Sequence, residues 1–453
     1  MKKFHLALSV LLIISCGANA KLTSRYKTIE THLDQEKYAE ALSHLKQKKH
    51  EYGESDQVLR YLDMGILEHY QGEYKNSIAH FEQAEQRIDD LYTKSVSKAA
   101  LSMITNDQAL DYSGEDYENI YLNVFKALNF IELGQHESAF VEVRRINEKL
   151  NELSTRYADE VAKMKREYSK KDKAIQFGEF NFTDTAIGRF LSLLLYRSEG
   201  DFDDARIDLE KLQNVWKTQS HIYTSTPPDF TKIKTELPKE NAIVTIMSFI
   251  GHGPAKYAWE LEVNTFKDHT VVRGKNPNYH EVLPLELDPD LSFAVSLPKI
   301  RRRDSRIKEA IVYVNNKEVT RLHKLEDMSS VAINTFKMTE QKTLIKSLIR
   351  SSLKAVAASE ASSKIRKETG DSVWGDVLSF AAKVGIQSTE SADLRSWQLM
   401  PGNCYFDEIE LPFGTHNLRI DYIGFNGTVI KSKQKTLTLS PSKKLNMVNT
   451  YAF

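Results

Sequence analysis

The spacing of apolar residues changes character along the chain. From Lys21 to about Trp216, Leu, Ala, Glu, Lys and Tyr dominate and proline is absent, which predicts helices joined by short turns. One frame recurs within this stretch: Gly72, Tyr74, Ser77, Phe81 and Ala84 supply a turn, a helix start, a small residue where two helices cross closely, and a buried stripe. Gly134, His136, Ala139, Val143 and Ile146 repeat it, as do Gly200, Phe202, Ala205, Leu209 and Leu212. Tyr38, Ala41 and Leu45 form a weaker first copy, with Glu36 where glycine is usual. The small residues at 41, 77, 139 and 205 are 36, 62 and 66 apart, close to one and then two units of a helical-repeat period. Longer helices or degenerate units are therefore expected around Asp90–Asp111 and Leu150–Lys173, the second charged enough to project as a solvated helix. All these positions read as helix packing. Function in such arrays belongs to the concave surface, which binds extended peptides or protein surfaces.

Beyond Thr224-Ser225-Thr226-Pro227-Pro228 the period becomes two. Ile243–Ile246 begins a strand; Trp259, Leu261 and Val263 alternate with polar residues, and so do Phe293, Val295 and Leu297 until Pro298 stops them. Ala310–Val314 turns at Asn315-Asn316 into Lys317–Leu322, and Leu418, Ile420 and Tyr422 lead through Asn426-Gly427 to Thr428–Leu439 and a last strand at Leu445–Tyr451. Eight or nine short antiparallel strands suggest a sandwich. Between the strand sets, Asp327 to Ile386 reads as helix. An apolar stripe runs through Leu344, Ile345, Leu348, Ile349, Ser352, Leu353 and Val356, and Lys342, Lys346, Arg350 and Lys354 line one flank. Trp374, Val377, Leu378 and Phe380 make a following helix apolar.

The first residues bear on the compartment. Lys2 and Lys3 precede an apolar run, Phe4 to Ile14, that suits a signal peptide and is too short to span a bilayer. The next residues read two ways. Ile13-Ile14-Ser15-Cys16 looks like a lipobox whose Cys16 would be acylated, whereas Ala18-Asn19-Ala20 would release a soluble periplasmic protein starting at Lys21. In proteobacterial lipoproteins an Asp after the cysteine signals inner-membrane retention; with Gly17 here, that resemblance implies the outer membrane. Only Cys404 then remains, which leaves no intramolecular disulfide and no cysteine zinc site. Lys+Arg and Asp+Glu balance at 62 each, against a nucleic-acid binder.

Four constellations were weighed for chemistry. Gly251-His252-Gly253-Pro254 could cradle a phosphate, but no P-loop motif exists, and a tight turn needing positive φ is the simpler reading. Arg301-Arg302-Arg303 with Arg306 could meet phosphate or an acidic partner, or be a solvated loop. Asp393, Arg395 and Trp397 could form an acid–arginine site or a junction between helix and sheet. The Lys342–Lys354 flank could lie on anionic head groups or be an ordinary solvated helix face. Histidines lack ligand spacing, and no catalytic triad, metal site or cofactor site assembles.

Asp116-Tyr117-Glu118, Phe125–Asn129, Ala139–Arg145, Gly251–Lys256, Ala392–Trp397, Pro401 and Leu411–Thr415 together resemble a family of bacterial tetratricopeptide-containing lipoproteins of uncharacterised activity, with its G-x-G-P-x-K and A-D-x-R-S-W signatures. The resemblance covers most of the chain in order. In layout it is similar to outer-membrane activators of penicillin-binding proteins, an analogy of architecture rather than of site.

The expectation is an α+β multidomain protein: a signal peptide at 1–20, a tetratricopeptide-like α-solenoid at 21–223, a linker at 224–240, an antiparallel β-sandwich-like domain at 241–326 and 392–453, and a helical insertion at 327–391. The expected role is a non-catalytic, cofactor-free lipoprotein scaffold. Its repeats would recruit an envelope protein or peptide, and its membrane contact would be the lipid anchor. The rival is a glycan-binding or peptidoglycan-processing protein, for which Glu260, Glu262 and Asp393 are the candidate acids.

Overall fold

The computed structural model describes residues 24–97, 110–168, 177, 181–275, 278–369 and 392–453. The signal segment with Cys16, Asp371–Ile386 with Trp374, Val377, Leu378 and Phe380, and the stretch 98–109 lie outside them. The described chain is mixed α+β, with nine α-helices and three four-stranded sheets among these residues.

Eight helices form four antiparallel hairpins: α1 (24–34) with α2 (Tyr38–Gln47), α3 (Gln57–Gln71) with α4 (Tyr74–Ser97), α5 (Asp116–Glu132) with α6 (His136–Tyr168), and α7 (Ala186–Glu199) with α8 (Phe202–Thr218). Each turns on one left-handed residue: Glu36, Gly72, Gly134 or Gly200, at φ 60°, 84°, 70° and 91°. The next amide closes the same terminating hydrogen bond every time, Lys37 to His32, Glu73 to Glu68, Gln135 to Phe130 and Asp201 to Tyr196, at 2.8–3.0 Å. Five residues after each left-handed residue stands a fully buried small one, Ala41, Ser77, Ala139 or Ala205. Ser77 shows why it must be small, since its hydroxyl donates to the Gly65 carbonyl of α3 at 2.6 Å. Glu36 is the exception in chemistry but not in conformation, a non-glycine residue held in the left-handed region.

The long second helices, α4 of 24 residues and α6 of 33, supply part of the 62- and 66-residue intervals between small residues. α6 is 33 residues of unbroken helix, not a degenerate repeat. Its charged end is also not a solvated projection: Leu150, Leu153, Tyr157 and Met164 are buried, and the Tyr157 hydroxyl donates to the Met338 carbonyl at 2.6 Å.

The strands are β1 (Asn241–His252), β2 (Ala255–Thr265), β3 (Thr270–Gly274), β4 (His280–Leu283), β5 (Ser292–Arg301), β6 (Ile307–Val314), β7 (Lys317–Arg321), β8 (His323–Glu326), β9 (Pro401–Pro412), β10 (Gly414–Gly424), β11 (Val429–Leu439) and β12 (Asn446–Ala452). Sheet I runs β12-β1-β9-β8, sheet II β11-β10-β6-β7 and sheet III β4-β3-β2-β5. One pair departs from the antiparallel expectation: β1 and β12 lie parallel, Val244 beside Asn446 through Ile250 beside Ala452. Pro298 does not stop β5, which continues to Arg301. β5 is an edge strand, where a missing N–H breaks no ladder. Asn315 and Asn316 both take positive φ, 50° and 67°, as a two-residue hairpin turn requires.

Sheet I is covered on both faces, which is why β1 reads as a continuous apolar run. Val244, Ile246 and Ile250 share a core with Val312, Leu418, Ile420 and Tyr422 of sheet II. Met247 and Phe249, on the opposite face with Cys404, Phe406 and Tyr451, join the core of the helical hairpins. α9 (Met328–Thr369) starts on an Asp327 cap, whose carboxylate accepts from the Ser330 amide at 2.8 Å. Its first turns enter the helical core at Met328, Val331 and Ala332. Leu344, Ile345 and Leu348 then pack on Leu261, Val263 and Val295 of sheet III together with Met164.

Candidate functional site

Two faces of the helical array differ in chemistry. The first is sealed on sheet I, and most of the motif residues read from the sequence converge there. The Trp397 indole is fully buried, edge-on to Phe81 and Phe125 at 5.8 and 5.9 Å, and its backbone N–H donates to Glu118 at 2.7 Å. Arg395 holds Asp393 through two hydrogen bonds of 2.9 and 2.7 Å and also reaches Asp56 and the Ser55 and Leu110 carbonyls. This is a junction, but one that joins the sheet to the helical repeats rather than to α9.

Gly251 has φ +72°, as a tight turn demands, and the Gly253 amide donates to the Met400 carbonyl at 2.6 Å. A Cβ on Gly253 would stand 2.7 Å from that same oxygen. Pro254 leads into β2, which carries the buried Lys256 onto Glu115 at the start of α5. Arg302 and Arg303 are neither a solvated patch nor a phosphate site. Arg302 grips Asp327 at 2.8 Å and Arg303 pairs with Glu30.

Three fully buried carboxylates lie on this seam. Asp63 accepts from the Tyr26 and Tyr52 hydroxyls at 2.8 and 2.7 Å. Glu118 accepts from Tyr112 at 2.7 Å, and Glu326 from Tyr121 at 2.8 Å and from Tyr223 and the Ile187 amide. Burial pushes all three up to about 7, against partial compensation by these donors. The tyrosines donate to the carboxylates without neutralising them, and both donors to Asp63 share its Oδ2, leaving Oδ1 buried with no hydrogen-bond partner among the described residues.

The second face is open. A groove of about 1080 Å³ runs between α4 and α6 over α5. Its floor is self-compensated. The Lys149 ammonium donates to Glu85, Asn119 and Asn123 at 2.6, 2.7 and 2.6 Å, and Lys126 bridges Glu85 and Glu142 at 2.8 and 3.0 Å. Burial alone would raise Glu85, but Lys149 and Lys126 outweigh it and hold the carboxyl at about 2. Arg145 adds a third cation to Glu85, and Arg156 is spent on Asp116.

The walls are different. Glu82 and Asp89 on α4, and Glu148, Glu152 and Asp159 on α6, are exposed and enter no ion pair among the described residues. The groove's cations are thus consumed and its wall acids are not. None of these acids stood out in the sequence, because charge on a helix surface is ordinary. The available signal was acids at 148, 152 and 159 and at 82 and 89, each set keeping to one helix face.

The remaining sequence candidates fall elsewhere. Lys342 pairs with Glu160 of α6, and Arg350 is only 4 % exposed and donates to Ser347, so the expected basic flank of α9 is not a free surface. Leu353, expected in the apolar stripe, is 53 % exposed. Lys346 and Lys354 are likewise engaged. Glu260 pairs with Lys275 on sheet III, far in the chain from the Asp393–Arg395 pair. Among the described residues no three His, Cys, Asp or Glu side chains come close enough to share a metal ion, and no helix is long and apolar enough to cross a membrane. No family model, curated protein or solved structure matches the chain.

Proposed function

We propose that the chain is a non-catalytic scaffold of the bacterial envelope, an outer-membrane lipoprotein facing the periplasm. Its helical half acts as a tetratricopeptide-like solenoid that docks a segment of a partner protein. Its β half, a sandwich of sheets I and II with sheet III and α9 appended, holds that solenoid rigid. The repeated pairing of a left-handed residue with a buried small residue five positions later supports the solenoid reading. The core shared by sheets I and II supports the sandwich. The anchor rests on Cys16 and the residues before it.

The observation that carries the proposal is the contrast between the two faces: one buried and fully packed against sheet I, the other an open groove with polar walls. A photo-crosslinking residue at Thr93 or Asn151, which line the groove, tests it in the producing cell. Val141, exposed on α6 but not lining the groove, is the control. The expected result is a discrete adduct from the groove positions alone, identified by mass spectrometry; the same products from Val141 would sink the reading. Intact-mass analysis of wild type beside Cys16→Ala tests the anchor. An unmodified N-terminus at Lys21 would remove the lipoprotein claim and leave a soluble periplasmic adaptor.

A further inference from the structure

The groove between α4 and α6 has a sign, and the sign names its occupant. We infer that it takes an extended peptide segment of a partner with cationic side chains at alternate positions; this rests on the docking reading above and specifies it.

Three observations carry the inference. First, the walls present five exposed carboxylates, Glu82, Asp89, Glu148, Glu152 and Asp159, that make no ion pair among the described residues. Every groove cation is already bound: Lys149 and Arg145 to Glu85, Arg156 to Asp116. An anionic segment would face the five wall acids, with the cations already paired, whereas a cationic one would complete pairs that the described residues leave open.

Second, the acids are spread along the groove rather than gathered. Glu148 to Asp159 spans about 16 Å of helix. No group of three acidic or other ligating side chains among the described residues is tight enough for one metal ion. The arrangement suits several separated charges on one occupant. A strand presents side chains to one face about every 6.8 Å, close to the roughly 6 Å between Glu148 and Glu152 along a helix axis.

Third, the volume of about 1080 Å³ is at the top of the range for small-molecule pockets, and residues of three helices, α4, α5 and α6, line it. The self-compensated floor keeps its shape without an occupant. At one end stands the Tyr92 ring, with the Arg156 guanidinium 5.4 Å from its centroid.

The test is fluorescence anisotropy on the full chain with a labelled peptide alternating lysine and threonine, followed across a salt series. Saturable binding that weakens with salt is expected, with no binding of the matching glutamate–threonine peptide. The triple substitution Glu148→Gln, Glu152→Gln, Asp159→Asn removes three rim pairs and should weaken binding about tenfold. The pair Asp203→Asn, Glu210→Gln on α8, outside the groove, should leave it unchanged. Equal weakening by both sets overturns the inference, as does binding of the acidic peptide. Spermine binding as tightly as the peptide also overturns it, because a small polyamine would then satisfy the walls. If Thr93 and Asn151 crosslink a partner in cells while the triple variant binds that partner normally, the docking reading stands and the cationic specification falls.

Discussion

The two faces of the helical array solve opposite problems with similar residues. On the sealed face, carboxylates are driven into the protein and each is surrounded by donors: Asp63 by Tyr26 and Tyr52, Glu118 by Tyr112 and the Trp397 amide, Glu326 by Tyr121, Tyr223 and the Ile187 amide. On the open face, exposed carboxylates enter no ion pair among the described residues, above a floor whose charges cancel. A buried acid must be answered within the fold or it costs stability. An exposed acid can stay unanswered cheaply and so remains available to something outside. Under the docking proposal, the polar side chains that would meet a partner are those the fold does not use.

Five variants sharpen that comparison. The largest effect is expected at Trp397→Ala, which empties the centre of the sealed face between Phe81 and Phe125. Urea unfolding should show a loss of about 3–5 kcal/mol. A loss below about 1 kcal/mol would mean that the seam is not the packed core described.

Next is the pH dependence of the seam. Glu326 is raised by burial from its ordinary 4.5 to about 7. The folded state then keeps a proton that the unfolded chain has already released. Its stabilising influence is complete below about 4.5 and is lost as pH rises through about 7. Glu326→Gln cannot lose it, so the stability of the variant relative to wild type should climb with pH across that window, by on the order of 3 kcal/mol at most. A pH-independent difference between the two would show that Glu326 is already ionised at the acid end.

Smaller effects are expected at the turns. A Cβ on Gly134 meets no neighbouring atom within 4 Å, so Gly134→Ala isolates the cost of a left-handed conformation, about 1 kcal/mol. Glu36→Gly should run the other way, relieving the same strain while giving up the ion pair with Lys433. Thermal melts of the two variants should move in opposite directions, and parallel shifts would refute the shared-turn description. The smallest effect belongs to the open face: neutralising Glu148, Glu152 and Asp159 together should change unfolding stability by no more than about 0.5 kcal/mol. A large change would mean that those acids serve the fold after all.

The helical half was largely legible because its rules are local. A left-handed residue and a small residue five positions on lie within one turn and one helix, and even Glu36 shows itself as the odd member of a series. The strands with one buried face, β2, β5 and β10, were legible for the same reason. Of β1 only the start at Ile243–Ile246 was legible, since a strand covered on both faces alternates between two cores rather than between core and water. Its parallel partner β12 lies some two hundred residues away, beyond any local pattern. The basic patches misled because exposure cannot be read from charge: Arg302, Arg303 and Arg350 are held by Asp327, Glu30 and Ser347, which belong to other segments or to the next turn of α9. The groove was invisible because it exists only where α4 and α6 face each other.

The pairing of β1 with β12 also sets an order of events. The helical hairpins close contacts between neighbours in sequence and can form as the chain emerges, whereas sheet I waits until residues 446–452 have arrived to lie beside β1. Until then Phe249, Phe406 and the apolar flanks of α3, α5 and α7 have no cover. A folding chain therefore passes through an interval in which its stickiest surface is bare and its acidic groove already formed. The arrival of the last strand, β12 beside β1, ends that interval.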